Sequence, residues 1–74
     1  MTIISTKQLT NGLGQTVTQT LVYSNGKYFV VSETPRETLV FSSNSKGEHN
    51  FMDIGSGLDT ADCLNQIENG QIMS

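Results

Sequence analysis

The stretch LVYSNGKYFVVS, Leu21 to Ser32, decides the fold. At its centre stands Asn25-Gly26, a two-residue type I′ turn signal, because both central positions need a positive φ that Asn and Gly tolerate best. Strand-forming residues flank the pair on both sides, so the stretch predicts a β-hairpin. Paired positions in a two-residue hairpin sum to a constant. That rule sets Tyr23 opposite Tyr28, Val22 opposite Phe29, Leu21 opposite Val30 and Thr20 opposite Val31. One face then carries Val17, Leu21, Tyr23, Tyr28 and Val30, and the other Thr18, Thr20, Val22, Phe29, Val31 and Glu33. A slip of one residue would exchange the faces, and the turn resists it. Both faces are partly apolar, so one is expected under a helix and the other against a second copy, a partner or solvent.

Outward from the hairpin, the pattern predicts strands over Thr2–Leu9, Thr16–Tyr23, Lys27–Glu33, Glu37–Ser42 and Glu48–Ile54. Asn11 to Gln15 is turn material, and Thr34-Pro35-Arg36 interrupts the sheet with a proline suited to a loop or an edge. Asn44-Ser45-Lys46-Gly47 fits a type I turn followed by a left-handed glycine. The fifth strand reads as a regular alternation of Met52 and Ile54 against His49, Phe51 and Asp53. Gly55-Ser56-Gly57 reads as a flexible break.

The last segment predicts a helix of about three turns. Asp59 is its N-cap, with Asp62 at the third helical position to suit the positive end of the helix dipole. Leu58 and Cys63 are spaced for a hydrophobic staple. Ala61, Leu64 and Ile67, with Cys63 beside them, form an apolar stripe, and Gly70 is the stop. So short a helix must dock on the sheet. Gln71 to Ser74 reads as a frayed tail. No internal repeat is evident. The expected architecture is a single α+β domain over 1–74, a small antiparallel sheet of four to five strands with one C-terminal helix packed on a face.

Seventy-four residues with 35% apolar content and no Trp make a thin core, and oligomerisation is a common way for such a chain to gain buried surface. The single cysteine, Cys63, cannot form an internal disulfide, which points to a reducing compartment. Lys7 and Gln8 stand where a signal peptide needs apolar residues, and no apolar run approaches the roughly 18 residues of a membrane span. These features predict a cytoplasmic protein. The net charge of −3 is uneven: residues 1–47 carry +2 and residues 48–74 carry −5, with no Lys or Arg after Lys46. That distribution disfavours nucleic acid as the partner of the C-terminal part and suits a basic protein surface. A solvated acidic face is the plainer reading of the same charges.

The candidate chemistry is sparse. His49 and Asp53 share a face of a regular strand but would lie about 13 Å apart, too far for a hydrogen bond. Cys63 sits beside Asp59 and Asp62, which oppose a thiolate, and its stripe position makes it a core residue. One Cys and one His give no zinc spacing, and Asp53, Asp59 and Asp62 do not match a calcium loop. Gly12 and Gly14 have no helix opening behind them to receive a phosphate. No catalytic residue, metal or cofactor is expected, and an enzyme ranks last among the function classes. Tyr23, Tyr28 and Phe29 beside Lys27 have the composition of a base-stacking platform, but cross-strand tyrosine pairing is ordinary sheet stabilisation. Tyrosines also anchor protein interfaces.

Ser32 to Leu64 carries Glu37-Thr38-Leu39-Val40-Phe41, Lys46-Gly47-Glu48 and Asp53-Ile54-Gly55-Ser56-Gly57 ahead of the helix. In this it resembles short proteins of phages and other bacterial mobile elements. The resemblance covers about half the chain and rests mostly on turn and capping residues. It implies a protein of a bacterial host cell that acts by binding. Phage proteins of this size and acidity include inhibitors of host defence, anti-CRISPR proteins among them. The expected partner is a host protein or defence complex with a basic surface. Glu48, Asp53, Asp59 and Asp62 would meet its Lys and Arg, and Tyr23, Tyr28 and Phe29 would be the apolar anchors. Two alternatives stand beside this: an oligomer that sequesters a small ligand such as a cyclic nucleotide, suggested by the glycine loops, and a structural protein that self-associates through its sheet.

Overall fold

The computed structural model describes residues 1–72. Five strands are followed by one helix: β1 (Thr2–Thr10), β2 (Thr16–Ser24), β3 (Lys27–Glu33), β4 (Thr38–Ser43), β5 (His49–Gly57) and α1 (Thr60–Glu68). The strands form one antiparallel sheet in chain order, β1-β2-β3-β4-β5. This is the α+β architecture expected from the sequence.

The central hairpin has the expected register, with Tyr23 opposite Tyr28, Val22 opposite Phe29, Leu21 opposite Val30 and Thr20 opposite Val31. Asn25 and Gly26 take φ values of 52° and 79°, the pair of positive angles a type I′ turn demands. The helix covers the Val22 face. Val22, Phe29, Val31 and Val40 from the sheet meet Cys63, Ile67 and Ile72, with Ile54 and Leu64 at the margin. Full burial of an aliphatic or aromatic side chain contributes about 1.5–3 kcal/mol, so this cluster is the main source of stability. Val17, Leu21 and Val30 on the other face are also buried, although α1 is not there. The β4–β5 turn comes close to this face: a Cβ on Gly47 would lie 3.7 Å from Leu21 Cδ2, two strands away.

The β1–β2 and β4–β5 turns are twins. Asn11 Oδ1 accepts from the amides of Leu13 (2.9 Å) and Gln15 (3.0 Å), and Asn44 Oδ1 accepts from those of Lys46 (2.9 Å) and Glu48 (3.0 Å). Asn11 Nδ2 donates to Gln15 Oε1, and Asn44 Nδ2 donates to Glu48 Oε1. Gly14 and Gly47 hold the left-handed position at φ 76° and 83°. NGLGQ and NSKGE therefore repeat one turn recipe, with Asn, Gly and Gln or Glu at matching positions.

Four expectations are corrected at the C-terminal end. Gly55-Ser56-Gly57 is not a flexible break but the end of β5, paired through Val40↔Gly55, Leu39↔Ser56 and Thr38↔Gly57. The glycines are there because the helix and tail come close. A Cβ on Gly57 would sit 2.7 Å from Cys63 Sγ and from Asp62 Oδ2, and one on Gly55 would sit 2.7 Å from Ile72 Cδ1. The Leu58–Cys63 staple does not form: Leu58 is 92% exposed while Cys63 is fully buried. Ala61 is exposed, so the buried stripe is Cys63 and Ile67 with Leu64 half-buried. The tail is not frayed as far as Ile72, which is a core residue. Gly70 stops the helix in a Schellman arrangement, its amide donating to Ile67 O (3.1 Å) and that of Gln71 to Gln66 O (2.8 Å). This turns Ile72 onto Gly55. Met73 and Ser74, the end of the expected tail, lie outside the described residues.

Candidate binding edge

The edge strand β5 is not regular. Its register against β4 breaks twice, between Val40 and Phe41 and again between Phe41 and Ser43. Phe41 faces Asp53 and Ser43 faces His49, so the three residues Asn50, Phe51 and Met52 stand against Ser42 alone and are thrown outward in a bulge. Asn50 Oδ1 accepts the Met52 amide at 3.1 Å and fixes the bulge from within. As a result Phe51 is 99% and Met52 75% exposed. The strict alternation expected for this strand is therefore wrong at its centre. Two large apolar side chains stand in solvent with Glu48 and Asp53, both exposed, on either side in the chain.

His49 is taken up by the structure. Its ring stacks on Phe41 with centroids 4.7 Å apart, and Nδ1 lies 3.1 Å from Gly47 O. A carbonyl only accepts, so Nδ1 carries the hydrogen and donates it.

Of the acids expected to meet a partner, three have internal roles. Asp59 Oδ1 accepts the Asp62 amide (2.9 Å), the N-cap bond of α1. Asp62 Oδ2 accepts from the Leu58 amide (3.0 Å) and from Gln66 Nε2 (3.2 Å). Glu48 closes the β4–β5 turn by accepting from Asn44 Nδ2 at 2.8 Å. Asp53 is the exposed acid of the β5 edge itself.

A third carboxylate at the helix start, Glu33, is absent from the sequence-based candidates. Its Oε1 accepts from both the amide (2.7 Å) and the hydroxyl (2.8 Å) of Thr60. The hairpin register places Glu33 on the face that the helix covers, which is the signal that could have found it. Glu33, Asp59 and Asp62 together satisfy the start of α1 and complement its dipole. Burial raises the Cys63 thiol pKa, and the charges of Asp62, Asp59 and Glu33 push it further in the same direction.

The aromatic anchors divide. Tyr23 and Tyr28 form a cross-strand pair, ring centroids 4.9 Å apart, on the face away from α1, and Tyr23 is 39% exposed. Phe29 is a correction: it points the other way and is 3% exposed beneath the helix, so it is a core residue and cannot anchor a partner on the folded chain. The residues missed are Phe51, Met52 and Leu58. Their apolar character is legible in the sequence, but the exposure of Phe51 and Met52 depends on a bulge that no residue pattern announces, and Leu58 stands in the link between β5 and the N-cap of α1.

A groove of about 260 Å³ lies between the β2–β3 turn and the end of α1, lined by Ser24, Asn25, Phe29, Ile67 and Ile72 among others. It falls just short of the range of about 300–1,000 Å³ usual for small-molecule sites. Among the described residues no helix is long and apolar enough to cross a membrane, and no group of three His, Cys, Asp or Glu is placed to hold a metal ion. No family model matches this chain, and no curated protein or solved structure matches it either.

Proposed function

We propose that this chain is a non-enzymatic binding protein that occludes a basic surface of a host protein, in the manner of phage anti-defence inhibitors of similar size and acidity; Ser32–Leu64 resembles short proteins of phages and mobile elements. The supporting observation is the β5 bulge, which holds Phe51 and Met52 in solvent between Glu48 and Asp53. Buried aromatic side chains dominate interface energetics, and flanking charge selects and steers the partner. The apolar pair enters a pocket on the partner, and the acids meet Lys or Arg at its rim. Asp59 and Asp62 contribute field more than contact, because their oxygens already cap α1.

The test is a tagged pull-down from bacterial lysate at low and high salt, with wild type, Phe51→Ala/Met52→Ala and Asp53→Lys side by side. A protein complex held by wild type, released by salt and lost in both variants is the expected result. Capture that ignores both variants overturns the role of the β5 edge, and no captured protein overturns the inhibitor reading.

The self-associating alternative has its own observation in β1. All nine of its residues are exposed, Ile3, Ile4 and Leu9 among them, and its outer edge is unpaired in the sheet. Such an edge is a template for another strand. Sedimentation that shows concentration-dependent dimers, abolished by Thr6→Pro, favours that reading. A monomer at every concentration removes it.

A further inference from the structure

Asn-Gly occurs three times in the chain, at Asn11-Gly12, Asn25-Gly26 and Asn69-Gly70. This dipeptide is the one most open to self-cyclisation, because a glycine offers its amide nitrogen without a side chain in the way. The reaction needs a carboxamide free to turn and a following amide nitrogen free to attack. The three sites differ in both.

At Asn11 the carboxamide is held by three hydrogen bonds, two into Oδ1 and one from Nδ2. At Asn69, the C-cap of α1, the attacking nitrogen is occupied, since the Gly70 amide donates to Ile67 O at 3.1 Å. Asn25 lies at the exposed tip of the hairpin. Among the described residues neither its carboxamide nor the Gly26 amide has a hydrogen-bond partner, as the ladder closes one step earlier at Ser24↔Lys27.

We infer that Asn25 is a site of spontaneous modification, and that the fold spares the other two. The Gly26 nitrogen, having lost its proton to solvent base, bonds to Asn25 Cγ. The Cγ–Nδ2 bond breaks and ammonia leaves with the proton. Water then opens the succinimide. Attack at Cγ restores the main chain with an aspartate in place of the asparagine, while attack at the backbone carbonyl routes the chain through Cγ as isoaspartate. No oxidant or reductant is required. Either product adds one negative charge, and isoaspartate adds a methylene to a turn whose two-residue length sets the register of β2 and β3. The tip that organises the sheet is thus also the place where the chain ages.

The test is peptide mapping by mass spectrometry after incubating the intact protein in warm, mildly alkaline buffer, with a parallel sample in denaturant. Folded protein should convert at Asn25 several-fold faster than at Asn69 or Asn11, and denaturant should bring the three rates together. Leading conversion at Asn11 or Asn69 in the folded sample, or equal rates with and without denaturant, overturns the inference. Asn25→Gln keeps the amide but would have to close a six-membered ring, which forms far more slowly. It should abolish conversion at this position and leave the slow rates at the other two unchanged, and conversion that continues there at the wild-type rate overturns the cyclisation route.

Discussion

The two edges of the sheet are built on opposite plans. β1 is a long strand with one irregularity, at Ile4 between Ile3 and Ser5, and it contributes no buried residue to the core. It is held by its ladder to β2 and by the locked Asn11 turn. β5 is broken by two bulges, ends in a Gly-Ser-Gly segment and is clamped from above by α1, with Gln66 Nε2 donating to Ser56 O at 3.1 Å. Backbone pairing and a hydrogen-bonded turn secure the first edge, and side-chain packing secures the second. Bulges are a usual defence of an exposed edge against unwanted pairing, and here they also display Phe51 and Met52. One edge is left open to a strand, whereas the other is closed to strands and offers side chains instead.

The largest expected loss is on the packed edge. Gly57→Ala puts a methyl against Cys63 Sγ and Asp62 Oδ2, and should cost about 1–3 kcal/mol in urea unfolding. Gly12→Ala, whose Cβ meets nothing, should stay within about 0.5 kcal/mol. Equal costs at the two glycines would remove the contrast. The locked turns come next. Asn11→Ala and Asn44→Ala each strip two amides of their acceptor and should each cost about 1 kcal/mol or more. Amide exchange should rise along β1 in the first variant and along β5 less in the second, because α1 still holds that strand.

Smaller still is the effect of pH on the packed edge. The folded Cys63 thiol has a raised pKa, so its contribution is complete below the unfolded thiol's value and is lost as pH climbs through the folded one. Stability should therefore fall more steeply in the alkaline range for wild type than for Cys63→Ala, as read by parallel urea titrations. Parallel slopes would show that the thiol does not feel its burial and the three carboxylates. The smallest effect on stability is expected from Phe51→Ala/Met52→Ala. With almost nothing buried, it should unfold within about 0.5 kcal/mol of wild type, which keeps its binding test independent of folding.

Turn chemistry makes most of the fold legible in the sequence. Asn25-Gly26 implies a register that the sheet reproduces pair by pair, and Asp59 and Gly70 mark both ends of α1. The glycines at 55 and 57 read wrongly because a glycine can mean freedom or crowding. Only the neighbour across the gap, Cys63 or Ile72, decides which. The candidate site is less legible for a related reason. Asp59 and Asp62 suit a helix cap and a basic partner equally well, and the structure commits their oxygens to the helix. Phe51 and Met52 suit a regular strand, and two register shifts against β4 move them into solvent.

The strands lie in the sheet in the order in which they leave the ribosome. Each ladder can zip onto its predecessor across a short turn, so the search for partners stays local and assembly should be quick for a mostly β chain. Only α1 must wait, because its seat is made of four strands and one of them, β5, is completed just before it. The helix should therefore be the last part to dock. In native-state hydrogen exchange β1, which contributes nothing to the core, should open first, whereas lifting α1 uncovers the main cluster and should come close to global unfolding.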